Sequence, residues 1–194
     1  MDYPMDLSFK ILALAPQLSV RDAAGNLVFY VKQKLFKLKE AVTVFADAEQ
    51  TRPLYTIQAD RILDWSARYN FDDMNGISLG AVKRQGTKSL WKAHYDILDG
   101  ETPVMNIQEE SALIKFIDGL VGEIPIVGMF TGYFLHPAYL VSRNDGTVIM
   151  RLQKQPAFLE GKFRLESKMP VSEAEERRAL LSLMIVVLLE RDRG

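Results

Sequence analysis

At 194 residues the chain is long enough to bury one sizeable core. A hydrophobic share of 48% beside 25% charged residues is that of a folded globular protein and excludes a disordered or low-complexity chain. A formal net charge of -1 gives no global attraction to nucleic acid, and the lack of cysteine excludes disulfides, thiolate metal sites and thiol nucleophiles.

The first residues, Met1-Asp2-Tyr3-Pro4-Met5-Asp6, are acidic where a secretory signal would be basic, which predicts a cytoplasmic protein. From there to Ser111 the chain runs in short stretches of alternating apolar and polar residues separated by turn residues, an antiparallel β pattern. A strand at 27–32 is followed by a basic-apolar run at 34–39, a strand at 41–46 and an acidic turn at 47–53. Further strands are predicted at 54–59, 65–71, 77–83 and 89–97, broken by Asn75-Gly76, Gln85-Gly86 and Asp99-Gly100, residues that tolerate positive φ. Alternation sets Trp65, Ala67, Tyr69 and Phe71 against Ser66, Arg68 and Asn70, then Trp91, Ala93 and Tyr95 against Lys92 and His94, so one sheet face is buried and one is wet.

After a strand at 104–109 comes an apolar insertion at about 111–136. It has a helical pattern in Leu113, Ile114, Ile117, Leu120 and Val121, then an uncharged Gly- and Pro-broken stretch at 124–135. Strands resume at 138–143, turn at Asn144-Asp145-Gly146, and continue at 148–154 and 162–168. A last helix spans 172–193, with Ser172 and Glu175 spaced as a capping box. Its middle, Leu180 to Leu189, has no polar face. A helix apolar all round is enclosed by protein or lipid, and this run is shorter than the roughly 20 residues that span a bilayer.

Strands with one apolar face bury it by closing into a barrel. Eight strands already fill themselves, so a barrel of about twelve needs added volume, which this helix supplies. The predicted fold is mostly β: a single domain over 1–194, a closed antiparallel barrel of about twelve strands wrapped around a hydrophobic C-terminal helix. No internal repeat or linker divides it.

Several stretches carry a family resemblance: Tyr30-Val31-Lys32-Gln33-Lys34-Leu35-Phe36-Lys37-Leu38-Lys39, then Val42-Thr43-Val44-Phe45 and an acidic turn, Leu54-Tyr55-Thr56-Ile57, and the terminal apolar helix. With these the chain resembles the Tubby C-terminal-like superfamily and, within it, the LURP-one-related proteins, relatives of the phospholipid scramblases. The resemblance implies a twelve-stranded barrel around a central helix and a link to phosphoinositide or phospholipid membranes. It carries over no binding residue, and the insertion at 111–136 departs from the short connection it implies.

The densest basic clusters are Lys32, Lys34, Lys37 and Lys39, and the row Lys162, Arg164 and Lys168, which shares one strand parity. Together they form a candidate anion-binding surface for phospholipid or phosphoinositide headgroups. The leading expectation is a non-enzymatic binding or scaffold protein, peripheral at an anionic membrane or bound to a protein partner through a surface such as 124–135, with no cofactor and no transmembrane span. The alternative is a lipid- or ester-handling hydrolase. Gly76-Ile77-Ser78-Leu79-Gly80 spells a nucleophile-elbow motif with His94 and His136 downstream, although the elbow requires a helix after the serine and the pattern here predicts a strand. The two histidines lack metal-ligand spacing, so no metal is expected.

Overall fold

The computed structural model describes residues 1–10, 17–32, 42–60, 67–85, 94–110, 138–157 and 160–191. Twelve strands run in chain order: β1 (Met5–Lys10), β2 (Gln17–Arg21), β3 (Leu27–Lys32), β4 (Val42–Phe45), β5 (Pro53–Ala59), β6 (Arg68–Asp73), β7 (Ser78–Arg84), β8 (His94–Asp99), β9 (Thr102–Glu109), β10 (Ala138–Arg143), β11 (Val148–Gln155) and β12 (Glu160–Ser167). Each pairs antiparallel with its chain neighbours, and β1 pairs with β12, so the sheet is a closed up-and-down barrel. One helix, α1 (Glu173–Arg191), follows β12. The expected run at 34–39, the insertion at 111–136, Trp65 and Trp91 lie outside the described residues.

The period-2 pattern fills the barrel. Met5, Leu7 and Phe9 of β1, Leu18 and Val20 of β2, and their counterparts around the wall point inward and are buried, and α1 runs through the space they enclose. Every residue from Ala179 to Leu188 is at most 5% exposed, so the helix has no wet side. At its start the capping box is formed: the Glu175 amide donates to Ser172 Oγ (3.2 Å), and the Ser172 amide donates to Glu175 Oε2 (2.9 Å). These reciprocal bonds satisfy helix donors that would otherwise be orphaned where α1 enters.

In an up-and-down barrel alternate connections lie at alternate ends. The end where α1 enters, here called proximal, holds the turns β2–β3, β4–β5, β6–β7, β8–β9 and β10–β11, each with a register shift beside it. Those bulges add the local twist that lets a wall turn a tight corner. Although no repeat is evident in the sequence, three of the turns share one chemistry: Asp22-Ala-Ala-Gly25, Asp47-Ala-Glu-Gln50 and Asp73-Met-Asn-Gly76. In each, the aspartate carboxylate accepts backbone N–H bonds from the far side of the turn: Asn26 to Asp22, Thr51 and Arg52 to Asp47, and Asn75 and Ile77 to Asp73, all at 2.8–2.9 Å.

Where two of these turns use glycine at positive φ, the third uses Gln50 at φ 61°. A side chain in that region costs about 1 kcal/mol or more. Gln50→Gly is therefore expected to raise the urea midpoint by the equivalent of about 0.5–1 kcal/mol, while Gly76→Ala lowers it by a similar amount. Equal midpoints for Gln50→Gly and the parent chain would contradict this.

Candidate functional site

Closure of the barrel decides which basic residues share a face. β12 lies beside β1, β1 beside β2, and β2 beside β3, with Lys162 opposite Ser8, Ser8 opposite Ser19, and both Lys10 and Lys32 opposite Gln17. Asp6, Ser8 and Lys10 alternate with the buried Met5, Leu7 and Phe9 and thus face out. The outer surface of these four strands carries Lys10, Lys32 and Lys162 toward the distal end. They flank a hydroxyl pair, Ser8 Oγ to Ser19 Oγ at 2.9 Å. At about 4.8 Å per strand, Lys32 and Lys162 stand roughly 15 Å apart. Register places Glu160 opposite Lys10 at the edge of this group.

The other predicted basic residues divide. Arg164 lies on the same face, but its Nε bonds Asp6 Oδ1 at 3.2 Å, so its charge is partly matched. Lys168 sits at the proximal end, paired with Glu166, whose carboxyl is held below its ordinary value first by the hydrogen bond from Lys168 and further by the charges of Arg151 and Arg164. Glu166 shares the parity of Lys162, Arg164 and Lys168, so the β12 row is mixed in sign. Lys34, Lys37 and Lys39 lie outside the described residues. Lys10 was missed by the sequence reasoning, although its alternation with Phe9 and Leu7 was a usable signal.

The hydrolase alternative meets a different geometry. Ser78 is the exposed first residue of β7, with strand on its C-terminal side instead of helix. His94 begins β8 at the other end of the same strand pair, where Tyr95 lies opposite Arg84, so Ser78 and His94 are roughly 20 Å apart along the wall. His94 Nε2 is instead 3.9 Å from Asp96, and His136 lies outside the described residues. Gly80, the last glycine of the motif, serves packing: a Cβ there would lie 2.4 Å from the Leu98 carbonyl oxygen and 3.0 Å from Arg178 Nε. Among the described residues no three His, Asp or Glu side chains are grouped to hold a metal.

A polar collar surrounds the point where α1 enters. Arg143 grips Glu175 with two bonds, Nε to Oε1 at 2.7 Å and Nη2 to Oε2 at 3.1 Å. Arg178 donates Nε to the Leu79 carbonyl at 2.7 Å and places Nη2 2.6 Å from Asp99. The Arg143 hydrogen bond, followed by the Ser172 amide, pulls Glu175 from an ordinary 4.5 down to about 2. Because the folded value is the lower one, the stabilisation is complete above the ordinary carboxylate range and is lost as pH falls toward 2. With the pair partly exposed, it is worth about 2 kcal/mol at neutral pH. Urea unfolding should show Glu175→Gln less stable than the parent by that amount at pH 7, with the gap shrinking by more than half near pH 3. An unchanged gap at the lower pH would exclude this role for the pair.

Among the described residues no helix is long and apolar enough to cross a membrane. A family model described as LURP-one-related matches residues 27–188, from β3 through the buried part of α1. No curated protein and no solved structure gave a match.

Proposed function

The chain belongs to the LURP-one-related family, and we propose that it is a non-enzymatic protein that binds anionic phospholipid surfaces peripherally from the cytoplasmic side. The observation that carries this is the union, by β1–β12 pairing, of Lys10, Lys32 and Lys162 on one outer face. Neutral hydroxyls and Gln17 occupy the space between them, and the nearby carboxylate of Asp6 is engaged by Arg164. Three ammonium groups on long stems over a flat sheet can each approach a headgroup phosphate without moving the backbone. The attraction is electrostatic: each basic residue near an anionic leaflet contributes about 1 kcal/mol, falling away within a Debye length.

Vesicle sedimentation tests it directly. The protein should pellet with phosphatidylserine-containing vesicles at low salt and stay in the supernatant with pure phosphatidylcholine or at high salt. Replacing Lys10, Lys32 and Lys162 together by glutamine should weaken the partition roughly 100-fold while leaving thermal melting unchanged. Equal pelleting with neutral and anionic vesicles, or none with either, refutes the proposal.

A further inference from the structure

An apolar helix inside an apolar barrel has little in its own chemistry to fix one rotation or one depth. From Leu180 to Leu189 neighbouring residues are close in size: Leu180 with Leu181, Leu183 with Met184, Ile185 with Val186, Leu188 with Leu189. A slip of α1 by one residue, about 1.5 Å along its axis with a turn of about 100°, mostly exchanges one such side chain for another, the kind of swap that cores tolerate best. Ser182 interrupts this run, and its buried hydroxyl makes no hydrogen bond that would hold a register.

Residues 175–178 are different in kind. Glu175 is held by Arg143 at the end of β10, and Glu176 is buried beside Tyr3, ahead of β1, with the Met1 amine 3.6 Å away. Arg177 lies 5.9 Å over the Tyr55 ring of β5, and Arg178 bonds the Leu79 carbonyl of β7 and pairs with Asp99 at the end of β8. Around the wall these anchors stand three, four and two to three strands apart, at about 30° per strand in a ring of twelve. Successive helix residues point about 100° apart, so four consecutive side chains meet four sectors of the wall in turn.

Their order penalises a slip in either direction. If each residue takes its predecessor's place, Glu176 still meets Arg143, but Arg177 enters the buried place of Glu176, and Ala179 leaves Asp99 and the Leu79 carbonyl without a cation. Slipped the other way, Arg143 faces Ala174, and Glu176 is set against the negative face of the Tyr55 ring. Each slip spoils two of the four anchors, and an unpaired charge at a partly buried position is costly. We propose that Glu175, Glu176, Arg177 and Arg178 act together as a registration belt that sets the rotation and depth of α1, while the apolar stretch behind them supplies stability without choosing a position.

The Ile185 δ1-methyl resonance, assigned by its loss in Ile185→Val, reports where that side chain sits in the core. The parent should give one sharp signal. With Glu175→Gln, Glu176→Gln, Arg177→Gln and Arg178→Gln combined, circular dichroism should retain strand and helix while the Ile185 signal splits or broadens at least about threefold. A single sharp signal at the parental position in that folded variant, whatever its melting temperature, shows that packing alone sets the register and overturns the proposal. Should the four changes together prevent folding, Arg178→Gln alone decides: a second Ile185 signal of roughly a tenth of the intensity is expected, and one unshifted signal overturns the proposal.

Discussion

Ile185→Asp is expected to abolish the folded barrel, giving insoluble or molten protein with no cooperative thermal transition. Ile185 is fully buried at the centre of α1, with Leu181 and Leu188 one turn away on either side and the strand wall all round. Among the described residues no buried cation is available to a carboxylate there, only the Ser182 hydroxyl one turn away, and it has no route to water because the helix has no exposed face toward which it could rotate. Burying it unpaired costs several kcal/mol, comparable with the whole stability of a domain. Val186→Asp should behave identically, since on a helix enclosed on every side the neighbouring position is equally deep. Ile185→Val removes one methylene, costs about 1 kcal/mol and should leave a soluble, cooperative protein. Circular dichroism melts of the three variants decide the matter, and a cooperative transition for either aspartate variant would show that α1 is not the core.

Gly80→Ala is the second large effect, at about 2–4 kcal/mol and a melting temperature lower by roughly 5–15 °C. Gly80 adopts φ 125°, a region L-residues rarely occupy, and its added Cβ would press against the Leu98 carbonyl oxygen, which is backbone of β8 and cannot step aside. It would also crowd Arg178, whose guanidinium ties α1 to Leu79 and Asp99. Ser78→Ala, two residues away and exposed, should melt within about 1 °C of the parent and leave any background ester hydrolysis unchanged. A large stability loss from Ser78→Ala beside a silent Gly80→Ala would invert this account of the motif.

The contrast between local and global information explains what could be read from the residues. The inward alternation of Ala67, Tyr69 and Phe71, the hairpin at Asn144-Asp145-Gly146 and the capping box at Ser172 and Glu175 are nearest-neighbour properties, and the structure reproduces each. The enclosed helix was legible because one composition, apolar all round, admits so few environments. The candidate site was legible only in part. Lys32 and Lys162 could be named together as one candidate surface, but the pairing of the first strand with the last that brings them to one face is contained in no short window of sequence. Lys10 is legible locally, from its alternation with Leu7 and Phe9, and so is Glu166, the acid between Arg164 and Lys168. The reason for Gly80 lies in Leu98 and Arg178, distant in the chain, so the local text resembled a catalytic motif instead. Gln50 hides a left-handed turn because glutamine is not a turn residue, although its place in the Asp-x-x-Gly series was visible.

The position of α1 at the C-terminal side of all twelve strands also has a consequence for synthesis. A ribosome delivers every wall strand, each with a naked apolar face, before it delivers the element those faces pack against. The seam between β1 and β12 can close only when β12, the last strand in the order, has emerged. Until β12 and α1 have followed, the nascent barrel is an incomplete, adhesive sheet, the condition in which long-range β pairings are slow and prone to misassembly. Chaperone dependence in the cell, and aggregation of any fragment that stops before Ser172, follow from chain order alone.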